Sequence, residues 1–229
     1  MEHLHNGFTL ELSDNAFPLS TDSIALSGFI KLPRNAQVLD LGSGCGTLGL
    51  LLCAGRTDCT VTGVEIDQDA HHMALKNAQA NGLSFRLNSI CADLRAIPTL
   101  FAPGSFSCCV SNPPYFSSGP KSKTVPLARR EDLCPMQSLF KSASWALKYG
   151  GDFYLVHRPE RLGELFACAG EHQLVPKRLC LLRHRTGGPV SLVLVQFRKG
   201  ASHSLVWEEQ SLYDPLGAPT EYYKRLYHC

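Results

Sequence analysis

Dense apolar runs of strand length recur along the chain, separated by longer stretches with helical spacing. The runs are "QVLDL" (37–41), "TVTGVEI" (60–66), "FRLNSICADL" (85–94), "SFSCCVSN" (105–112) and "DFYLVH" (152–157). Runs this short and this apolar read as strands buried on both faces. Between them, "GTLGLLLCAG" (46–55), "DQDAHHMALKNAQANG" (67–82) and "MQSLFKSASWALKYGG" (136–151) read as helices, each with glycine at its end. Further on, "PKRLCLLRHR" (176–185) and "SLVLVQFRKG" (191–200) flank the turn-forming "TGGP", which predicts a hairpin. Near the start, "PLSTDSIALSGFI" (18–30) predicts one helix capped near Ser20 or Thr21.

Alternating β and α segments with a terminal hairpin predict an α/β fold. It is a single Rossmann-like, doubly wound sheet of seven strands, mostly parallel with an antiparallel edge strand. One domain is expected over 1–229, with a helical lead-in at 1–36, the core sheet at 37–200 and a C-terminal extension at 201–229.

Composition narrows this picture only a little. Of 229 residues, 44% are hydrophobic and 18% charged, which fits a globular chain rather than a disordered one. No apolar run is long enough to span a membrane. "MEHLHNGFTL" has neither a basic nor an apolar leader region, so a cytoplasmic location is expected. The net charge of +2 is too small to argue for a nucleic-acid partner unaided. The ten cysteines form no Cys-x-x-Cys and read as reduced, mostly buried thiols. His71 and His72 are adjacent on a helix and share no face, so no metal is expected.

The chemistry begins at "VLDLGSGCGTLG" (38–49). Gly42, Gly44 and Gly46 let the chain bend tightly between the first strand and its helix and approach a ligand closely. The same glycines satisfy a dinucleotide fingerprint. Asp40 tilts the choice: its charge would repel a pyrophosphate and attract an ammonium, which favours S-adenosylmethionine over NAD. Glu65, in "VEID" at the end of the second strand, stands where an acid accepts ribose hydroxyls. Asp93, in "ADL" after the third strand, has two readings: an acceptor for the adenine amine, or a helix N-cap.

"DLGSGCGTLG", "VEID" and "SNPPYF" (111–116), in that order at the ends of strands one, two and four, resemble the class I S-adenosylmethionine-dependent methyltransferases. The Asn-Pro-Pro-Tyr tetrapeptide resembles the subset that methylates planar amino groups. "STDSIAL", "LVHRPERL", "PKRL" and "SLYDPLGAPTEYYKRLYH" extend the likeness to the small bacterial methyltransferases that modify an adenine N6 amine in a valine tRNA. The resemblance covers nearly the whole chain. It implies S-adenosylmethionine as cofactor, S-adenosylhomocysteine as product, and Asp40, Gly42, Ser43, Gly44, Gly46, Glu65, Ile66, Asp93, Leu94 and Asn112 around the cofactor. It implies Asn112, Pro113, Pro114 and Tyr115 around the target. The side chain of Asn112 and the carbonyl of Pro113 would accept the two amine hydrogens. Proline fixes φ, has no donor of its own, and restricts the residue before it, so the acceptors are aimed. Tyr115 would stack on the flipped base, worth about 1–3 kcal/mol.

"SSGPKSKTVPLARR" (117–130) follows the tetrapeptide and carries Lys121, Lys123, Arg129 and Arg130 with no acid. It reads either as a solvated loop or as an RNA contact, with Arg158 in "VHRPER" a further candidate. The resemblance leads one to expect "ARHE" where this chain has Arg129-Arg130-Glu131, so Arg130 stands in place of an expected histidine.

The expected function is methylation of adenine N6 in RNA, foremost tRNA, by a chain favoured to be monomeric. Protein glutamine methylation is the first alternative, since a planar amide suits the same tetrapeptide. Relatives with that activity carry a helical domain ahead of the first motif, where this chain has room for little more than one helix. Methylation of a DNA adenine or a ribosomal guanine follows, and a non-catalytic cofactor- or RNA-binding module is a further alternative.

Overall fold

Two short strands, β1 (Glu2–His3) and β2 (Thr9–Leu10), pair antiparallel at the N-terminus of a computed structural model that describes residues 1–4, 7–13, 19–113 and 136–228. Helix α1 (Thr21–Phe29) starts at Ser20, whose side chain accepts from the amide of Ser23, so the expected cap is the one used.

The main sheet is built from β3 (Gln37–Leu41), β4 (Thr60–Glu65), β5 (Leu87–Cys91), β6 (Phe106–Ser111), β7 (Leu147–His157), β8 (Leu174–Arg185), β9 (Val190–Lys199) and β10 (Val206–Tyr213). Their order across the sheet is β10-β8-β9-β7-β6-β3-β4-β5. Every neighbouring pair is parallel except the two that involve β9.

Two expectations need correction here. The sheet has eight strands, not seven, because β10 comes from the segment after residue 200 and pairs parallel with β8. The antiparallel strand is internal, since β9 lies between β7 and β8. The reason in the first case is chemical: "VWEEQSLY" has little apolar character, and its carboxylates are matched only once β8 lies beside it. Arg178 pairs with Glu208 at 3.2 Å and Arg183 with Glu209 at 3.0 Å.

Helices cover both faces. On one face lie α1, α2 (Thr47–Gly55) and α3 (Gln68–Ala80). On the other lie α5 (Met136–Ala146), preceded in the chain by the single turn α4 (Ile97–Leu100), and α6 (Leu162–Glu171). Alternation along the strands sends consecutive residues to opposite cores. Val38, Cys108, Tyr154 and Leu194 pack with the first group of helices, whereas Leu39, Cys109, Phe153 and Val193 pack with the second. In the second core Phe140 meets Phe153 and Phe197 edge-on, with ring centres 5.4 and 5.2 Å apart. Helix α5 stops at Ala146, short of the two glycines expected to close it. The ammonium of Lys199 takes the carbonyls of Ser144 and Leu147 there, and Leu147 already pairs with Phe106 as part of β7. The last helix, α7 (Glu221–Tyr227), packs Leu226 against α1 at Gly28, where a Cβ would lie 2.4 Å from Leu226 Cδ2.

The eight described cysteines are free thiols, and all but Cys91 are buried, as their apolar settings led one to expect. Among the described residues no helix is long and apolar enough to cross a membrane.

The topology also singles out one location. From β3 the chain runs outward through β4 and β5, then returns to β6 on the other side of β3. Connections therefore diverge at the carboxyl ends of β3 and β6, which is where open α/β sheets form their ligand crevice.

Candidate functional site

The loop after β3 is folded back over β4. The amides of Gly42 and Ser43 both donate to the carbonyl of Val64, at 2.9 and 3.2 Å. Gly42, Gly44 and Gly46 have φ of 75°, 54° and 81°, a region that side chains with a Cβ rarely adopt. Gly46 caps α2 in this conformation, and a Cβ on it would come within 3.3 Å of Ala74 on α3. Glu65 ties the loop to the next strand end: one carboxylate oxygen accepts from the amide of Gly44 at 2.8 Å, the other from Asp67 at 2.9 Å. Burial raises the pKa of Glu65, and those amide donors oppose the rise.

Beneath the loop, two buried polar atoms have no hydrogen-bond partner among the described residues: Asp40 Oδ2 and Ser43 Oγ. An unpaired buried polar group costs about 1–3 kcal/mol, so two of them together concentrate unmet hydrogen-bonding capacity at this one place. Burial, and secondarily the charge of Glu65, pushes the Asp40 carboxyl up to about 8. In the folded chain at neutral pH this acid is therefore mostly protonated. Its usual pKa in an unfolded chain is about 4. The folded state binds the extra proton between those two values, so stability falls as pH rises from about 4 to about 8 and then levels off. Thermal melts of the free protein at several pH values should show this decline, and Asp40→Asn should lessen it. Parallel curves for the two forms would mean that Asp40 ionises normally.

Asn112 stands at the end of β6, across the crevice from the loop. Ser111 Oγ donates to the carbonyl of Leu41 at 2.7 Å and so locks the ends of β6 and β3 together. Asn112 Nδ2 donates to Ser23 Oγ on α1 at 2.9 Å. Pro113 is buried. Pro114, Tyr115, Lys121, Lys123, Arg129 and Arg130, expected at the target and along the RNA, lie outside the described residues.

Strand registers gather the remaining candidates. Asp40 is level with Gly63 on one side and Val110 on the other, and Glu65 is level with Cys91. Asp40 to Gly46, Glu65 and Ile66, Asp93 and Leu94, and Asn112 thus lie at the carboxyl ends of four adjacent strands. Ile66 is exposed and Leu94 is buried, with its carbonyl accepting from Ser142 Oγ at 2.8 Å. Asp93 serves as the cap that one of its two readings foresaw. It accepts from the amide of Arg95 at 2.8 Å and from the Arg95 guanidinium, which lowers its pKa. Arg158 lies beyond β7, one strand farther out, and donates to the carbonyl of Ser191 at 3.2 Å.

Three residues to which the sequence assigned no role adjoin this candidate site. Gly63 lies under Ser43, where a Cβ would be 2.4 Å from Ser43 Oγ; a glycine inside a strand is a legible sign of such close approach. Asn77 on α3 donates to the carbonyls of Glu11 and Cys45, at 2.8 and 2.9 Å, and accepts from the amide of Glu11 at 2.8 Å. It therefore clamps the N-terminal segment to the glycine loop. Ser23 is the third, through its bond to Asn112. Asn77 carried no signal, because a polar residue on a helix reads as solvent-facing, and Ser23 entered only as one position of "STDSIAL", without a role of its own. Among the described residues no cluster of His, Cys, Asp or Glu could hold a metal ion.

Residues 22–165 match the family described as methyltransferase small domain. A tRNA1(Val) (adenine(37)-N6)-methyltransferase of Shewanella halifaxensis (strain HAW-EB4) is 31% identical over 175 residues, covering 76% of this chain and 70% of that protein. Among solved structures, a predicted O-methyltransferase from Agrobacterium tumefaciens superposes with a TM-score of 0.77 at 21% identity, over 91% of this chain and 96% of that one. A geranyl diphosphate C-methyltransferase from Streptomyces coelicolor A3(2), solved with Mg2+, geranyl diphosphate and S-adenosyl-L-homocysteine, does so with a TM-score of 0.58 at 14% identity, over 77% and 76%. The two structural likenesses speak for the fold.

Proposed function

Because this chain belongs to the methyltransferase small domain family, we propose that it is a tRNA methyltransferase that places a methyl group on the exocyclic N6 amine of an adenine. The methyl donor is S-adenosylmethionine. Adenine 37 of tRNA1(Val), the target in the name of the Shewanella relative, is the first substrate to test. The observation that carries the reading is Asn112, followed directly by Pro113, at the end of β6 beside the glycine loop.

The residues at the loop suit this cofactor. A buried carboxylate oxygen and a buried hydroxyl without partners among the described residues, Asp40 Oδ2 and Ser43 Oγ, suit a cationic ligand with hydrogen-bonding groups better than a phosphate. Asp40 would ionise on meeting the ammonium. Glu65 would accept from the ribose hydroxyls, with Gly44 to Gly46 giving backbone access and Ile66 an apolar surface for the adenine. Asp93 and Leu94 line the outer end of that half. S-adenosylmethionine supplies an electrophilic methyl on sulfur when bound and departs as the neutral thioether S-adenosylhomocysteine, while the methylated nitrogen gives up one proton to water.

The protein's own task is to prepare the acceptor. An adenine amine has its lone pair delocalised into the ring and is a weak nucleophile. Asn112 accepts one amine hydrogen through its side-chain oxygen and Pro113 accepts the other through its carbonyl, which turns the lone pair toward the methyl carbon. Aiming of this kind is catalysis by orientation and by fixed dipoles. Tyr115 stacks on the base and Arg158 contributes to holding the RNA backbone, with Lys121, Lys123, Arg129 and Arg130 in the same role.

The test is to incubate the chain with methyl-labelled cofactor and separate pools of tRNA, ribosomal RNA and protein, then to digest the labelled pool. N6-methyladenosine from tRNA is the expected product. Label in guanosine, or on glutamine in the protein pool, would overturn the reading.

A further inference from the structure

We infer that Ser23 is a positioning residue for the methyl-accepting pocket, anchoring the Asn112 side chain so that its oxygen meets the target amine. The inference rests on the acceptor role given to Asn112 above.

The torsion that turns an asparagine amide is soft, with broad preferences rather than three sharp wells. An unanchored amide would sweep its oxygen and its nitrogen through the same volume. Only the oxygen is useful there, because the incoming amine brings two donors and no accessible acceptor. The bond from Asn112 Nδ2 to Ser23 Oγ, at 2.9 Å, removes that freedom from the nitrogen end. With the nitrogen held toward α1, the oxygen is turned away from α1.

Ser23 is suited to the task because it is itself held. It is 6% exposed and sits in the first turn of α1, with its own amide bonded to the Ser20 side chain at 3.4 Å. Helix α1 is fixed in turn against α2, β7 and α7. The anchoring hydroxyl therefore belongs to a packed helix and not to the segment that carries Asn112. Among the described residues its hydroxyl bonds only to Asn112; the capping bond uses the Ser23 amide and the Ser20 oxygen, and both survive replacement by alanine.

The experiment is a double-mutant cycle on the full chain, read by single turnover with labelled cofactor on tRNA and by calorimetry with S-adenosylhomocysteine. Ser23→Ala should lower kcat about tenfold while KM for tRNA and affinity for S-adenosylhomocysteine stay within about twofold of the parent. In an Asn112→Ala background the same change should have no further effect, because nothing is left to anchor. Full kcat for Ser23→Ala, with Asn112→Ala impaired, would overturn the inference and leave the role of Asn112 intact. An equal loss in both backgrounds, or a loss of melting temperature or cofactor affinity, would make Ser23 a structural residue and also overturn it. Normal turnover of Asn112→Ala would instead remove the acceptor role on which the inference stands.

Discussion

Asn112→Ala is expected to bind S-adenosylhomocysteine with near-parental affinity and to turn over roughly 100- to 1,000-fold more slowly. The separation follows from the strand order. Asn112 follows β6, on the far side of β3 from Glu65 and Asp93, so in the proposed function the target amine and most of the cofactor would address different strand ends. A hydrogen bond to the amine strengthens as the amine loses its resonance with the ring, so it contributes more in the transition state than in the ground state. Removing it therefore acts on kcat more than on affinity. Calorimetry with S-adenosylhomocysteine and single-turnover methylation of tRNA measure the two quantities separately. A variant that kept most of its turnover under saturating tRNA would show that the amine is held by other groups.

Gly63→Val is expected to weaken S-adenosylhomocysteine binding by about a hundredfold or more, although the residue lies inside a strand and below the loop. A Cβ at Gly63 would stand 2.4 Å from Ser43 Oγ and 2.7 Å from Ser43 Cβ. Strand β4 is held between β3 and β5, so the loop is the part that yields. Lifting Ser43 strains the amide bonds from Gly42 and Ser43 to Val64 and the bond from Gly44 to Glu65. Gly63→Ala should act in the same direction more weakly. Adding Ser43→Gly to it should restore part of the affinity, since the atoms in collision are then gone. Calorimetry on the three variants decides it. Unchanged affinity for Gly63→Val would mean that the loop does not need its present height to bind.

The central strands were legible because they are covered on both faces and therefore uniformly apolar, and the glycine loop because its backbone demands glycine. Strand β10 was not. Its pattern is that of a half-solvated edge, and Glu208 and Glu209 make sense only after Arg178 and Arg183 are seen to lie opposite. The hairpin of β8 and β9 was readable from its turn, yet the insertion of β9 between β7 and β8 is a long-range pairing that no local pattern encodes. In the site, the acids could be named from their places after the strands. Which of them would be free was not readable: the Asp93 carboxylate is taken up by Arg95, whereas Asp40 Oδ2 has no partner among the described residues. That difference is set by residues close in space, and sequence spacing carries it only for the neighbour two places away.

The paired amides on α3 bear on the order in which the chain folds and opens. Asn77 and Asn81 each bind a backbone carbonyl and a backbone amide of the N-terminal segment, at Glu11 and Thr9, much as a neighbouring strand would. The partners are 66 and 72 residues apart in the chain, so the segment has nothing on α3 to dock on until that helix is in place. Late-docking pieces of this kind open at a lower free energy than the core they cover. Because the Asn77 amide also holds the carbonyl of Cys45, hydrogen exchange at Glu11 becomes a gauge of how firmly the glycine loop is closed.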